Sequence, residues 1–151
     1  MMANESSKRI DVIQIKMVKE RSILYSPRRI TSAHQVAELA EQEIGDSDRE
    51  KCLVICMNAK SEPLNMQVIS VGSLSGSIVH PREVFKIAIL SNAYAILLVH
   101  NHPSGDTTPS SEDEKITKRL KGAGEIIGIP LIDHVIIGNQ SYTSMKELGY
   151  L

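Results

Sequence analysis

Apolar and polar positions in the first half of the chain predict one helix followed by a β-hairpin. Apolar residues recur at helical spacing across 33–43, and Ser32 stands before them as a helix N-cap. The two apolar runs 50–57 and 64–71 are separated by a short polar turn. Two such runs joined by turn residues are typical of antiparallel strands that pair in a hairpin.

The second half of the chain predicts alternating helices and strands. Pro81 suits the first turn of a helix, and Gly128 suits the position just after one. In chain order the elements are a helix over 81–90, a strand over 93–99, a helix over 111–127 and a strand over 131–137. The Gly- and Ser-rich stretch 72–77 and the irregular stretch 100–109 are predicted to be loops.

The N-terminal segment 1–19 is predicted to lie outside the main fold. Residues 1–9 have the pattern of a frayed tail, whereas 12–18 partly alternates between apolar and polar residues and predicts a first strand. Residues 20–151 are expected to form one α/β domain, with a mixed sheet flanked by about three helices. A chain of 151 residues suits a single hydrophobic core, and it contains no internal repeat or linker.

Composition and charge argue against several broad classes of protein. Hydrophobic residues make up 42% and charged residues 23% of the chain, as in ordinary globular domains. The formal net charge of −1 lacks the basic excess of a typical nucleic-acid binder. No apolar run reaches the ~18 residues that a membrane helix needs. The polar N-terminus also lacks the apolar stretch of a signal peptide, so we expect a cytoplasmic protein.

Cys52 and Cys56 are the only two cysteines, and both fall in the predicted strand over 50–57. Residues four apart along a strand are about 13 Å apart. The Cα atoms of a disulfide lie within about 7 Å of each other. We therefore expect two packed thiols.

The residues that point to chemistry begin where the apolar strand 93–99 ends. His100 and His102 are two residues apart, so along a strand their imidazoles point the same way. Asp113 falls in the first turn of the next predicted helix, where the helix dipole favours a carboxylate. Two imidazole nitrogens and one carboxylate oxygen form a three-ligand set, which leaves the fourth position of a tetrahedral zinc for water.

A zinc hydrolase also needs a group that accepts a proton and a donor for the developing oxyanion. Zinc lowers the pKa of a bound water to about 7. Glu50, at the start of an apolar strand, is the predicted general base, and Glu83 in a helix start is its rival. Ser110, three residues before Asp113, is the predicted oxyanion donor.

Each of these residues also has a simpler structural interpretation. Ser110 and Asp113 have the spacing of a Ser-x-x-Asp helix cap. His80 is better explained as the residue that opens the helix over 81–90, and His134 is a weaker candidate for a contact behind the metal ligands. A cytidine-deaminase site is excluded because His-x-Glu and Pro-Cys-x-x-Cys are absent. The conjunction of the histidines, serine and aspartate favours a metal site.

The pattern His-x-His, seven residues, Ser, two residues, Asp resembles the JAMM motif of JAB/MPN metallopeptidases. The segment His-Asn-His-Pro-Ser-Gly resembles the corresponding sequence of the bacterial RadC branch. Two further segments also resemble that branch: Val-His-Pro-Arg-Glu-Val-Phe at 79–85 and Leu-Ile-Asp-His-Val-Ile-Ile-Gly at 131–138. The resemblance implies an MPN/JAB-like fold with a cytidine-deaminase-like layout. It also implies that His100, His102 and Asp113 bind Zn²⁺, that Ser110 lies on the oxyanion side, and that Glu50 is the upstream acid.

The resemblance leaves two functions open. The first is a zinc-dependent metallopeptidase that acts on a peptide or isopeptide bond of a protein or peptide substrate. The second is an accessory protein in DNA repair or mobile-element DNA processing that keeps zinc without peptidase activity. RadC proteins often carry an N-terminal helical DNA-binding region, and we expect this chain to resemble the short RadC-like proteins of mobile elements. The charge balance does not support a nucleic-acid partner.

Overall fold

A computed structural model of the protein describes residues 6–72 and 79–151, and these residues form three helices and five strands. The elements are α1 (Ala33–Ile44), β1 (Lys51–Met57), β2 (Pro63–Val71), α2 (Pro81–Leu90), β3 (Ala95–Asn101), α3 (Ser111–Ile127), β4 (Leu131–Ile137) and β5 (Tyr142–Ser144). The predicted mixed α/β fold is confirmed. Most of the loop predicted over 72–77 lies outside the described residues.

The five strands form one sheet in the order β2-β1-β3-β4-β5. β1 pairs antiparallel with both β2 and β3, so the predicted hairpin is confirmed. β3 and β4 are parallel, and α3 is the crossover that parallel neighbours require. β3 is therefore the central strand, and its C-terminal end lies at the edge of the sheet where α3 begins.

Helices cover both faces of this sheet. α1 packs on one face, against Leu53 and Ile55 of β1. α2 and α3 pack on the other face, where Val54 and Cys56 point. Successive side chains of a strand point to opposite faces, so the near-continuous apolar runs of β1 and β3 supply both halves of the core. This arrangement directs the even-numbered residues of β3 towards α3.

The helix ends follow their local sequence. Ser32 caps α1 by accepting a hydrogen bond from the Gln35 amide, as predicted. His80 caps α2 by accepting one from the Arg82 amide, which confirms the helix-opening interpretation of this histidine. Gly128 ends α3 at φ 83°, in the left-handed region that favours glycine. Among helices formed by the described part of the chain, none is long and apolar enough to span a bilayer.

Two predicted elements differ from the structure. Residues 12–18 form no strand: they pair with none of the five strands of the sheet and are exposed, with Val12 99% exposed. β3 begins and ends two residues later than predicted. His100 and Asn101 therefore belong to the buried strand and not to the loop, because both pair in register with β4.

Candidate metal centre

Four side chains converge at the C-terminal end of β3. One ligand atom from each of Glu50, His100, His102 and Asp113 lies within 4.8 Å of the others, a grouping that is able to hold a metal ion. His100 lies near the end of β3, His102 directly follows that strand, and Asp113 comes from the first turn of α3. Cys52 pairs with His100 across β1 and β3, and this register brings Glu50, just before β1, to the same end of the sheet.

The three residues predicted as ligands contact one another directly. His100 Nε2 lies 2.9 Å from His102 Nε2 and 3.1 Å from Asp113 Oδ1. His102 Nε2 lies 3.3 Å from Asp113 Oδ2. His100 and Asp113 are buried, and His102 is partly exposed. The cluster is therefore open to solvent on one side.

The proton of His102 is assigned by its partner. Its Nδ1 lies 2.7 Å from the backbone carbonyl of Asp106, which only accepts, so Nδ1 carries the hydrogen. In the neutral ring Nε2 is then a bare acceptor that faces another imidazole and a carboxylate. The hydrogen bond with Asp113 raises the pKa of His102, because protonation of Nε2 places a positive charge and a donor against that carboxylate. A proton or a metal cation supplies that charge.

Asp113 is held ionised at the centre of the cluster. Burial acts to raise the pKa of its carboxyl, but the adjacent His100 and His102 imidazoles, which are able to carry positive charge, and the Ser110 backbone N–H together outweigh burial and lower the pKa. The same carboxylate accepts the Ser110 backbone N–H at 2.8 Å, while Ser110 Oγ accepts the Asp113 N–H at 3.1 Å. The Ser-x-x-Asp cap predicted as the simpler interpretation therefore exists, and it orients the carboxylate towards the histidines.

Glu50, and not its rival Glu83, lies at the cluster. Glu50 Oε1 is 3.8 Å from His100 Nε2, and 23% of the Glu50 side chain is exposed. Glu83 is exposed in the first turn of α2, where it faces Lys86 at 3.9 Å. The structure thus brings together Glu50 with the three residues of the motif.

The family to which this site belongs follows from sequence comparison. The model of the RadC-like JAB domain matches residues 30–150, which include all four cluster residues. The chain belongs to the RadC-like JAB domain family.

Three of the proteins similar to this RadC-like JAB domain illustrate how much of the chain is matched. A UPF0758 protein of Desulfitobacterium hafniense is 52% identical over 122 residues, which cover 81% of this chain and 54% of the relative. One from Syntrophomonas wolfei is 49% identical over 134 residues, covering 89% and 56%. One from Methanosarcina barkeri is 40% identical over 124 residues, covering 82% and 54%. The chain therefore spans about half the length of the curated relatives that it matches.

Asn101, the middle residue of His-Asn-His, holds the backbone on both sides of Glu50. Its Oδ1 accepts the Lys51 N–H at 2.7 Å, and its Nδ2 donates to the Arg49 carbonyl at 2.9 Å. Sequence reasoning missed this residue. A polar side chain at the end of an apolar strand needs a hydrogen-bond partner when it is buried, and that was the available signal.

His134 lies behind His100 in the RadC-like domain. Its Nε2 is 2.7 Å from His100 Nδ1, and its Nδ1 is 2.6 Å from Thr117 Oγ1. Burial lowers the pKa of His134 well below its ordinary value, so its ring is neutral. Thr117 was also missed from sequence, although it follows Asp113 by one helical turn and so shares its helix face.

Proposed function

We propose that this RadC-like domain is a zinc-dependent hydrolase of the JAMM type that cleaves a peptide or isopeptide bond. The convergence of two imidazoles and a carboxylate, with a partly exposed second carboxylate beside them, carries the proposal. The names of the similar UPF0758 proteins state no activity. Hydrolysis is therefore a proposal for the whole protein as well as for this domain.

The donor set fits zinc. Tetrahedral ligands at 2.0–2.1 Å from zinc lie about 3.3 Å from one another. The three ligand-atom separations among His100, His102 and Asp113 are 2.9, 3.1 and 3.3 Å. Three protein ligands are also the number found in catalytic zinc sites, whereas structural sites use four. Bound there, Zn²⁺ supplies Lewis acidity and lowers the pKa of water at its open position to about 7.

Glu50 suits a general base better than a fourth ligand. Its carboxylate is 3.8 Å from His100 Nε2, farther than the 3.1 Å of Asp113. That extra separation sets Glu50 apart from the three residues that contact one another, and the partial exposure of Glu50 gives water and a substrate access. We assign Glu50 the role of accepting the proton of the attacking water and passing it to the leaving amine.

Ser110 is suited to donate to the oxygen of the scissile carbonyl. Its Oγ accepts the Asp113 N–H, so its hydroxyl hydrogen is not used in that contact. The residue is exposed and precedes α3, next to the carboxylate of Asp113. One such donor is typically worth ~2.7–4 kcal/mol of transition-state stabilisation.

The decisive experiment compares the zinc-loaded protein with its Glu50→Gln variant. Both proteins are titrated with Zn²⁺ and then assayed on quenched fluorescent peptide libraries and on lysine-linked isopeptide substrates. We expect equal zinc stoichiometry and a rate ~10²-fold or more lower for the variant. Loss of zinc from the variant would instead make Glu50 a ligand. Equal rates for both proteins on every substrate would overturn the peptidase proposal.

A second candidate function is supported by the charge of the N-terminal segment. Seven basic and two acidic residues lie between positions 6 and 29, although the chain as a whole has a net charge of −1. The basic side chains are exposed: Lys8, Arg9, Lys16, Lys19, Arg21, Arg28 and Arg29. Such a local excess of basic residues suits a nucleic-acid backbone, although Arg21 and Arg28 also face Glu43 and Glu62. Salt-dependent binding of duplex DNA, measured by fluorescence anisotropy, together with failure of every peptide substrate, would favour the accessory role in DNA processing.

A further inference from the structure

Two fully buried side chains continue the candidate metal centre behind His100. His134 and Thr117 both have 0% exposed surface. The contacts run from His100 Nδ1 to His134 Nε2, and from His134 Nδ1 to Thr117 Oγ1, at 2.7 and 2.6 Å. Thr117 Oγ1 in turn donates to the backbone carbonyl of Asp113 at 2.7 Å. The chain of hydrogen bonds therefore starts on one candidate ligand and ends on another.

The fold fixes the positions of His134 and Thr117. His134 pairs with Leu98 across the parallel strands β3 and β4, so its side chain lies on the same face of the sheet as His100. Thr117 lies one helical turn after Asp113 on α3, which covers that face. Neither side chain reaches solvent, so water does not replace a lost partner. The direction of the hydrogen bonds is then set by the protein alone.

Two arrangements of protons are consistent with these contacts. If Thr117 donates to His134 Nδ1, then His134 donates from Nε2 to His100 Nδ1, and neutral His100 keeps its own proton on Nε2. If Thr117 donates to a carbonyl instead, both hydrogen bonds between these side chains run in the opposite direction. His134 then donates from Nδ1 to Thr117, and His100 donates from Nδ1 to His134. Only this second arrangement leaves a lone pair on His100 Nε2.

The backbone carbonyl of Asp113 selects the second arrangement. A carbonyl only accepts hydrogen bonds, and at 2.7 Å it takes the single proton of the Thr117 hydroxyl. Thr117 Oγ1 is then available to His134 only as an acceptor. We infer that Thr117 and His134 are positioning residues that hold His100 in its Nδ1–H tautomer, so that Nε2 is free to bind the metal. This inference rests on the proposed zinc site and not on hydrolysis.

Two substitutions at Thr117 test the inference through metal affinity. Thr117→Val removes the hydroxyl at nearly constant volume and leaves His134 Nδ1–H without an acceptor. Competition with a chromophoric chelator should show zinc affinity ~10–100-fold weaker, the usual cost of losing a partner of a ligating histidine. Thr117→Ser retains the hydroxyl and should bind zinc nearly as tightly as the wild type. Affinity lost in both variants, or in neither, would overturn the inference.

A matched control separates hydrogen bonding from packing. Leu120 is fully buried on the same helix and belongs to the hydrophobic cluster on that face of the sheet. Leu120→Val should lower the thermal midpoint and leave zinc affinity unchanged. A comparable loss of affinity in Leu120→Val would mean that Thr117 acts only through packing, which would overturn the assignment.

The tautomers themselves are measurable in the wild-type protein without any substitution. Long-range ¹H–¹⁵N correlation spectra of the zinc-loaded protein should show the ring proton on Nδ1 of both His100 and His134. A proton on Nε2 of His134, or a wild-type protein that binds no zinc, would overturn the inference. If affinity falls in Thr117→Val, is kept in Thr117→Ser, and no peptide is cleaved, the positioning role stands and only the hydrolase proposal fails.

Discussion

Asn101 Oδ1 accepts the backbone N–H of Lys51 at 2.7 Å and so ties the start of β1 to the end of β3. The same amide donates to the Arg49 carbonyl at 2.9 Å. Glu50 stands between these two backbone contacts, and its own carbonyl accepts the Gly72 N–H at 2.7 Å. The position of the proposed base is therefore set by backbone contacts on both sides, and the carboxylate needs few partners of its own.

Replacement of Asn101 should separate the base from the zinc ligands. Asn101→Ala leaves His100, His102 and Asp113 in place, so zinc stoichiometry should be unchanged. Hydrolysis should fall, because the backbone around Glu50 loses its support. The free energy of unfolding should drop by roughly 1–3 kcal/mol, the cost of leaving buried polar groups unpaired. Zinc titration, rate measurement and urea denaturation check these outcomes, and loss of zinc would contradict the predicted separation.

Two substitutions of Asp113 should distinguish metal binding from helix capping. Asp113→Ala removes both the carboxylate that faces the histidines and the acceptor for the Ser110 N–H. Asp113→Asn keeps a capping oxygen and removes the charge. Both variants should lose tight zinc binding, which isothermal titration measures. Only the alanine variant should show the full capping cost, ~0.5–2 kcal/mol of unfolding free energy in metal-free protein.

The metal-free forms make this comparison informative. If Asp113→Asn is destabilised as strongly as Asp113→Ala, the carboxylate charge and not the cap holds this turn. If either variant binds zinc as tightly as the wild type, Asp113 is not a ligand.

Zinc affinity should fall as the pH is lowered through the raised pKa of His102. The hydrogen bond with Asp113 raises that pKa in the metal-free protein, so protons compete with zinc for Nε2 at higher pH than at an isolated histidine. Below this pKa one proton must leave for each zinc bound, and affinity should change about tenfold per pH unit. The lowered pKa of Asp113 keeps its carboxylate ionised throughout that range. Chelator competition between pH 5 and 8, a range of about three units around the ordinary histidine pKa, measures the slope.

The same shift has a consequence for folding that runs the other way. Protonated His102 is stabilised in the folded metal-free protein, so this stabilisation is present below the ordinary histidine pKa and is lost as the pH rises through the raised one.

His34, an exposed histidine that faces Glu38 on α1, supplies a control for the pH dependence of zinc affinity. His34→Gln should leave the pH dependence of zinc affinity unchanged, and a shallower slope in that variant would place the competing proton elsewhere.

Local signals predicted most of the fold and the core of the site. Each of these signals depends on residues that are close in sequence: the hydrophobic periodicity, the helix caps at Ser32 and Gly128, and the hairpin turn. The structure has all of them. The segment 12–18 alternates between apolar and polar residues as a strand does. A strand also needs a neighbouring strand to pair with, and the alternation carries no information about such a neighbour. The contacts of Asn101 and Thr117 depend on strand register and helix packing, which bring together residues 50 and 17 positions apart.

The last prediction concerns the two cysteines, which should resist alkylation in the folded protein. Both are free and buried, as predicted from their place in β1. Burial raises the pKa of Cys56 to about 11 and raises that of Cys52 as well. The thiolate is the reactive form, so at pH 8 the reactive fraction at Cys56 is about a thousandth.

Iodoacetamide labelling followed by mass spectrometry should therefore detect little modification of native protein and two modifications per chain in urea. The labelling rate should rise along the same denaturation curve as the loss of helix, because access and thiolate formation both require unfolding. Cys52 pairs with His100 across the sheet, so zinc that stabilises the end of β3 should slow labelling of Cys52 further. Rapid labelling of either thiol below the denaturation transition would show that β1 opens locally, and would contradict the rigid support that Glu50 requires.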